Sequence, residues 1–190
     1  MKKKSRIIVA VTGASGSALA FHVLKALKCQ KEELEVHLIL SEGARVTLRE
    51  ETKLTEKDFS DLADFTYGER DIAAPIASGS FVTLGMIVVP CSMKTLSGIA
   101  NAYDENLIIR AADVSLKERR KLVLVPREMP LGNAHLRNML ALSQDGAVII
   151  PPVLSFYMED VSLERQLDQI TGKILMQFHL EHAGFAAWKE

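Results

Sequence analysis

Met86-Ile87-Val88-Val89-Pro90-Cys91-Ser92-Met93-Lys94-Thr95-Leu96-Ser97-Gly98-Ile99-Ala100 is the stretch that decides the fold. Four apolar, mostly β-branched residues make a strand buried on both faces. The turn after them is dense in small polar groups, and it opens a helix over 95–102. A strand that delivers hydroxyls, a lysine and backbone N–H groups to a helix start is a cradle for an anion or cofactor. One such turn is weak evidence, but the chain repeats the arrangement.

Outward from this stretch, β-type and helical patterns alternate. Strands are expected over 7–11, 36–40, 86–89, 122–125 and 147–150. Helices are expected over 17–28, 42–51, 95–102, 105–120, 134–142 and 163–180, with Ser41 as the cap of the second. Residues 53–70 are polar and mixed, a helix and an excursion, and 72–80 form a loop rich in Ala, Ser, Gly and Pro. Strands alternating with helices predict an α/β fold, a doubly wound parallel sheet with helices on both faces. No linker or repeat divides the chain. It reads as one domain, 1–190, with 181–190 as a C-terminal tail.

Ligands of such sheets bind beyond the carboxyl ends of the strands. The chemistry-bearing residues gather there: 13–17, Ser41, 91–95, Arg127, Glu128 and Tyr157. The first turn, Thr12-Gly13-Ala14-Ser15-Gly16-Ser17, lets backbone approach a ligand. It is not a full G-x-G-x-x-G, and Ser41 stands where a dinucleotide site places an acid. Arg110 and Lys117 are seven residues apart on a helix and project from one face, with Asp113 between them. Their apolar flanks suggest a mostly buried helix in which a cation needs a partner, although a solvated stripe of ion pairs is the commoner meaning of such spacing.

The 190 residues carry a net charge of −1, so no electrostatic footprint for nucleic acid or an anionic membrane is present. Cys29 and Cys91 are too few and too far apart for a disulfide framework or zinc site. Cys91 is read as apolar filler. The five histidines lack metal-ligand spacing and are read as ordinary surface or helix residues. The Met1-Lys2-Lys3-Lys4 start has no apolar run behind it, and no run approaches membrane-spanning length, so a cytoplasmic location is expected. The apolar 72–84 loop and final helix suggest self-association.

The motifs VTGASG, ASGSF, VVPCSMKTLSGIA, NLIIRAADVSLKERRKLVLVPRE, HLRNML and IIPP…FY resemble those of the UbiX-type flavin prenyltransferases along nearly the whole chain. The resemblance implies a Rossmann-like, flavodoxin-related homo-oligomer, typically a dodecamer. It also implies a metal-independent enzyme that joins the prenyl group of dimethylallyl monophosphate to N5 and C6 of reduced FMN. The prenylated FMN serves UbiD-type decarboxylases.

By motif, FMN contacts fall on Gly13, Ala14, Ser15, Ser41, Ser92, Met93, Lys94, Thr95 and Arg127. The prenyl phosphate falls to Arg110, Lys117, Glu128, Tyr157 and Lys173, and Trp188 lies near the prenyl group. On that resemblance Lys117 is expected to stabilise the leaving phosphate, Glu128 to deliver a proton to it, and Glu51 or the Ser15 region to assist loss of the C6 proton. The chain departs from the family pattern at Phe81-Val82-Thr83-Leu84 and has Lys173 where Arg is frequent. Two alternatives remain. One is an FMN-dependent cysteine-type decarboxylase of the same superfamily, and the other a non-catalytic FMN carrier.

Overall fold

Side chains of the first strand alternate between two cores: Ile7, Val9 and Val11 bury on one face, Ile8 and Ala10 on the other. The computed structural model describes residues 4–30, 32–158 and 161–186. In chain order the elements are β1 (Ser5–Val11), α1 (Ser17–Lys28), β2 (Leu34–Leu40), α2 (Glu42–Glu51), α3 (Glu56–Ser60) and β3 (Phe65–Gly68). There follow β4 (Gly85–Cys91), α4 (Met93–Ala100), α5 (Leu107–Lys117), β5 (Lys121–Pro126), α6 (Asn133–Gln144), β6 (Val148–Ile149) and α7 (Leu163–Leu175).

The strands form one sheet in the order β3-β2-β1-β4-β5-β6, parallel throughout. Chain direction reverses across the sheet between β1 and β4, the crevice where doubly wound sheets bind ligands. One core packs α1, α2 and α7 against Val9, Leu38, Ile87 and Val123. The other packs α4, α5 and α6 against Ile8, Ile39, Val88 and Leu124. No helix among the described residues is long and apolar enough to cross a membrane.

The expected α/β architecture is present, with differences at the margins. The 53–70 excursion holds an edge strand, β3, which pairs only with β2 and has Phe65 largely exposed. Four residues with one face in solvent give too short a period to recognise. The helix expected from 105 starts at Leu107 because the Asn106 side chain accepts the Ile109 N–H at 3.0 Å. It stops before Arg119, whose φ of 55° leaves helical geometry. The last helix ends at Leu175, followed by one 3₁₀ turn, Met176–Phe178, and a left-handed His179.

His37 is not a surface residue. It is 2% exposed on β2, with Nε2 2.9 Å from Glu35 and Nδ1 3.0 Å from the Tyr67 hydroxyl. The neighbouring β3 supplies the partner that the sequence alone did not reveal.

Candidate active site

The carboxyl ends of β1 and β4 are tied together by one side chain. Thr12 Oγ1 donates to Pro90 O at 2.7 Å and accepts the Ser92 N–H at 2.8 Å, wholly buried. This fixes two turns, 13–17 and 92–95, on either side of the crevice. Gly13 lies against the backbone of Gly43 at the start of α2, where a Cβ would meet it at 3.0 Å. Gly16 holds φ at 131°, a region that favours glycine, and turns the chain into α1.

Two of the expected cofactor turns end in a helix capped by its own serine. Ser41 Oγ accepts the Ala44 N–H at 3.0 Å. Ser92 Oγ accepts the Thr95 N–H at 3.3 Å and donates to Thr95 Oγ1 at 3.1 Å. Opening N–H groups of a helix have no intrahelical carbonyl, and the dipole favours an anion beside them. The first turn of α4 carries no acidic residue to compete. The Lys94 ammonium turns outward to Glu105 at 3.3 Å, so it is the Lys94 backbone that faces the turn.

A cavity of about 440 Å³ lies beside the 13–17 turn; of the expected cofactor residues it brings together Ser15 and Arg127, whereas Gly13, Ala14, Ser41 and 92–95 stand outside its lining. Ser15, Glu51, Pro90 and Arg127 stand in its wall beside the apolar Leu154, Leu167 and Ile170. The Glu51 carboxylate accepts N–H groups from Gly16 at 3.0 Å and Ser17 at 2.8 Å. Burial alone would raise the Glu51 carboxyl. Hydrogen bonds from the Ser15 hydroxyl and from the Ser17 and Gly16 N–H groups outweigh it and hold the group below its ordinary 4.5. Glu51 is therefore a carboxylate at neutral pH, and the same hydrogen bonds make it a weaker base.

Next to this hollow is a second of about 430 Å³, walled by Ile150, Pro151, Tyr157 and Lys173. Ile170 stands in the wall of both, and the 151–157 segment parts them, with Pro152 and Leu154 toward the first and Pro151, Val153 and Tyr157 toward the second. Tyr157 and Lys173 thus share one cavity although they lie on different segments. Glu128 is exposed, and its Oε1 accepts the Met129 N–H at 3.1 Å. Trp188 lies outside the described residues.

Arg110 and Lys117 share one helix face as expected, and both face Asp113, at 3.3 and 3.9 Å. Arg110 also pairs with Asp104 at 2.9 Å and donates to Ala77 O at 3.2 Å. The fold does not bring them to Tyr157 and Lys173 within one protomer. Helix α5 packs on the other face of the sheet from α7. It also runs back toward the amino edge, where Lys117 stands just before β5 begins at Lys121. Convergence of Arg110, Lys117 and Lys173 inside a single chain is therefore excluded by topology.

Cys91 is fully buried, and burial pushes its thiol up to about 12, so it is an uncharged core group and no nucleophile at neutral pH. Thr12 is the functional positioner that sequence reasoning left unassigned, and its place between an apolar strand and a glycine was the available clue.

The family described as Flavoprotein matches residues 1–178. A probable UbiX-like flavin prenyltransferase of Sedimentibacter hydroxybenzoicus is 57% identical over 184 residues, 97% of each chain. The crystal structure of a dodecameric FMN-dependent UbiX-like decarboxylase from Escherichia coli O157:H7 superposes with a TM-score of 0.94 at 47% identity, covering 97% of this chain and 100% of that one. The structure of AnUbiX (PadA1) in complex with FMN and dimethylallyl pyrophosphate also gives 0.94, at 46% identity over 99% of each chain.

Proposed function

Because this chain belongs to the flavoprotein family and, within it, to the UbiX-like flavin prenyltransferases, we propose that it joins the dimethylallyl group of dimethylallyl monophosphate to N5 and C6 of reduced FMN, with release of phosphate. It is an FMN-dependent transferase. The observation that carries this reading is the pair of hollows with Ile170 in the wall of both. One presents Ser15, Glu51 and Arg127 between apolar walls, and the other presents Tyr157 and Lys173.

The first hollow suits FMN. Apolar walls accept the faces of a flat ring system, and Arg127 offers a fork of donors to its polar edge. The capped start of α4 at Ser92, Met93, Lys94 and Thr95 suits the phosphate, with Gly13, Ala14 and Ser41 at the ends of the neighbouring strands β1 and β2. When bound, reduced FMN supplies the two ring positions that accept the prenyl group.

This chain's residues do the remainder. Tyr157 and Lys173 hold the donor phosphate and stabilise charge as the allylic C–O bond breaks. Glu51, ionised and steadied by the Ser15 hydroxyl, takes up the proton lost at C6. Glu128 returns a proton to the departing phosphate. Arg110 and Lys117 complete the phosphate grip from a neighbouring subunit, as their place on the opposite sheet face requires.

The dodecameric relative supports such an assembly, as do the exposed Ile72, Val82 and Leu84 on the 72–84 loop and Leu163 on α7. UbiD-type decarboxylases are the recipients of the product. A cysteine-type decarboxylase would need an active-site histidine, and no described histidine lines the 440 Å³ hollow.

The test is incubation with reduced FMN and dimethylallyl monophosphate. Flavin recovered heavier by one prenyl unit, with equimolar phosphate, is expected. Unaltered FMN and no phosphate would refute the reading and leave the carrier alternative.

A further inference from the structure

Residues 181–186 do not leave the body of the protein but lie along α7 as a strap. Arg165 Nη1 donates to Gly184 O at 3.1 Å, and Asp168 Oδ1 meets His182 Nε2 at 3.0 Å. With its carboxamide turned to match donor to acceptor, Gln169 meets both main-chain groups of Ala186, accepting its N–H at 2.9 Å and donating to its carbonyl at 3.2 Å. The helix Gly172 is covered by Phe185, so that any Cβ there would overlap the Phe185 Cβ and ring. From the turn after α1, Gln30 Nε2 donates to Glu181 O at 2.9 Å.

Positions 165, 168, 169 and 172 form one stripe of the helix, so the strap has a dedicated track. Gln169 is only 4% exposed, a position where a carboxamide needs partners, and the strap provides them. Glycine inside a helix costs about 0.5–1 kcal/mol relative to alanine, and Phe185 is the reason for tolerating that cost here. The track leads to the donor hollow. Phe185 and Ala186 line the same 430 Å³ cavity as Tyr157 and Lys173.

We propose that Gln169 and Gly172 are positioning residues for the prenyl donor. They seat the 181–186 strap on α7 so that Phe185 closes the wall of the hollow in which Tyr157 and Lys173 take the allylic phosphate. Gly172 acts through the strap alone, and Gln169, which also stands in the wall of the hollow, acts through its two bonds to Ala186. The inference rests on the proposed reading of that hollow as the donor site. It predicts that loosening the strap weakens donor capture and leaves FMN capture alone.

The experiment compares the full chain with Gly172→Ala and Gln169→Leu. Loss of two hydrogen bonds amounts to about tenfold in binding. KM for dimethylallyl monophosphate should therefore rise about tenfold in Gln169→Leu and should rise also in Gly172→Ala, whose Cβ displaces Phe185, with kcat within about twofold and FMN affinity unchanged in both. Amide exchange at Phe185 and Ala186 should speed up in the same variants. Gln169→Glu, which keeps the acceptor for the Ala186 N–H, should recover part of the lost affinity. Faster exchange at the strap with KM unchanged would overturn the proposal. So would a matched fall in kcat and FMN affinity, the pattern of a merely structural lesion. If Gly172→Ala does not fold, Gln169→Leu and Gln169→Glu decide the matter. Absence of prenylated flavin from the unsubstituted chain would overturn the reading of the site itself, a result distinct from a strap that fails to move KM.

Discussion

Thr12 shows how a single hydroxyl positions the site. It joins the ends of β1 and β4 by two buried hydrogen bonds, at 2.7 and 2.8 Å. Thr12→Val keeps the shape and leaves Pro90 O and the Ser92 N–H without that partner. Unsatisfied buried groups cost about 1–3 kcal/mol, so a thermal scan should show a fall of several degrees and FMN should be retained less well. Glu51 sets a pH dependence of known sign. Its folded carboxyl titrates below its ordinary 4.5, so its contribution to stability is complete above that value. The contribution is lost as pH falls through the lower, folded value. Denaturant melts of Glu51→Gln beside the unsubstituted chain should differ most at about neutral pH and converge in acid.

At the scale of the element, the strand ends and helix starts that build the site were legible in the sequence. The boundaries of α1 and α2 fall where the apolar period and Ser41 place them. Helix α4 begins two residues earlier than its apolar period suggests, because Ser92 caps it. Ser92→Ala should cost about 1 kcal/mol of stability and weaken FMN affinity, measured by flavin fluorescence titration, because the cap orients the N–H groups offered to the phosphate.

What the sequence hid was non-local. Strand β3 has an exposed face and one neighbour, and its partner residues lie 28 positions earlier in the chain, as in the Phe65–His37 pairing. His37 gained its hydrogen-bond partner Tyr67 by the same pairing. The seat of Phe185 on Gly172 was equally invisible, since a glycine in a helical pattern names no partner.

At the scale of the whole molecule, the parallel topology decides which charges can meet. Arg110 and Lys117 were legible as one cationic face, and the family resemblance added Tyr157 and Lys173, but nothing in the spacing says that a sheet separates the two sets. Within one protomer the first pair is occupied by Asp104 and Asp113 on the far side. A donor phosphate gripped by all four therefore lies between subunits, and sizing of the purified chain should give a large closed assembly.

The most direct measurement is a mixing experiment. Lys117→Ala and Lys173→Ala chains are made separately and then co-expressed, and phosphate release from dimethylallyl monophosphate with reduced FMN is followed. Each variant alone should be inactive, and the mixed assemblies should recover turnover, because some sites then draw an intact Lys173 from one chain and an intact Lys117 from its neighbour. Mixed assemblies no more active than either parent, beside a fully active unsubstituted chain, would contradict the account.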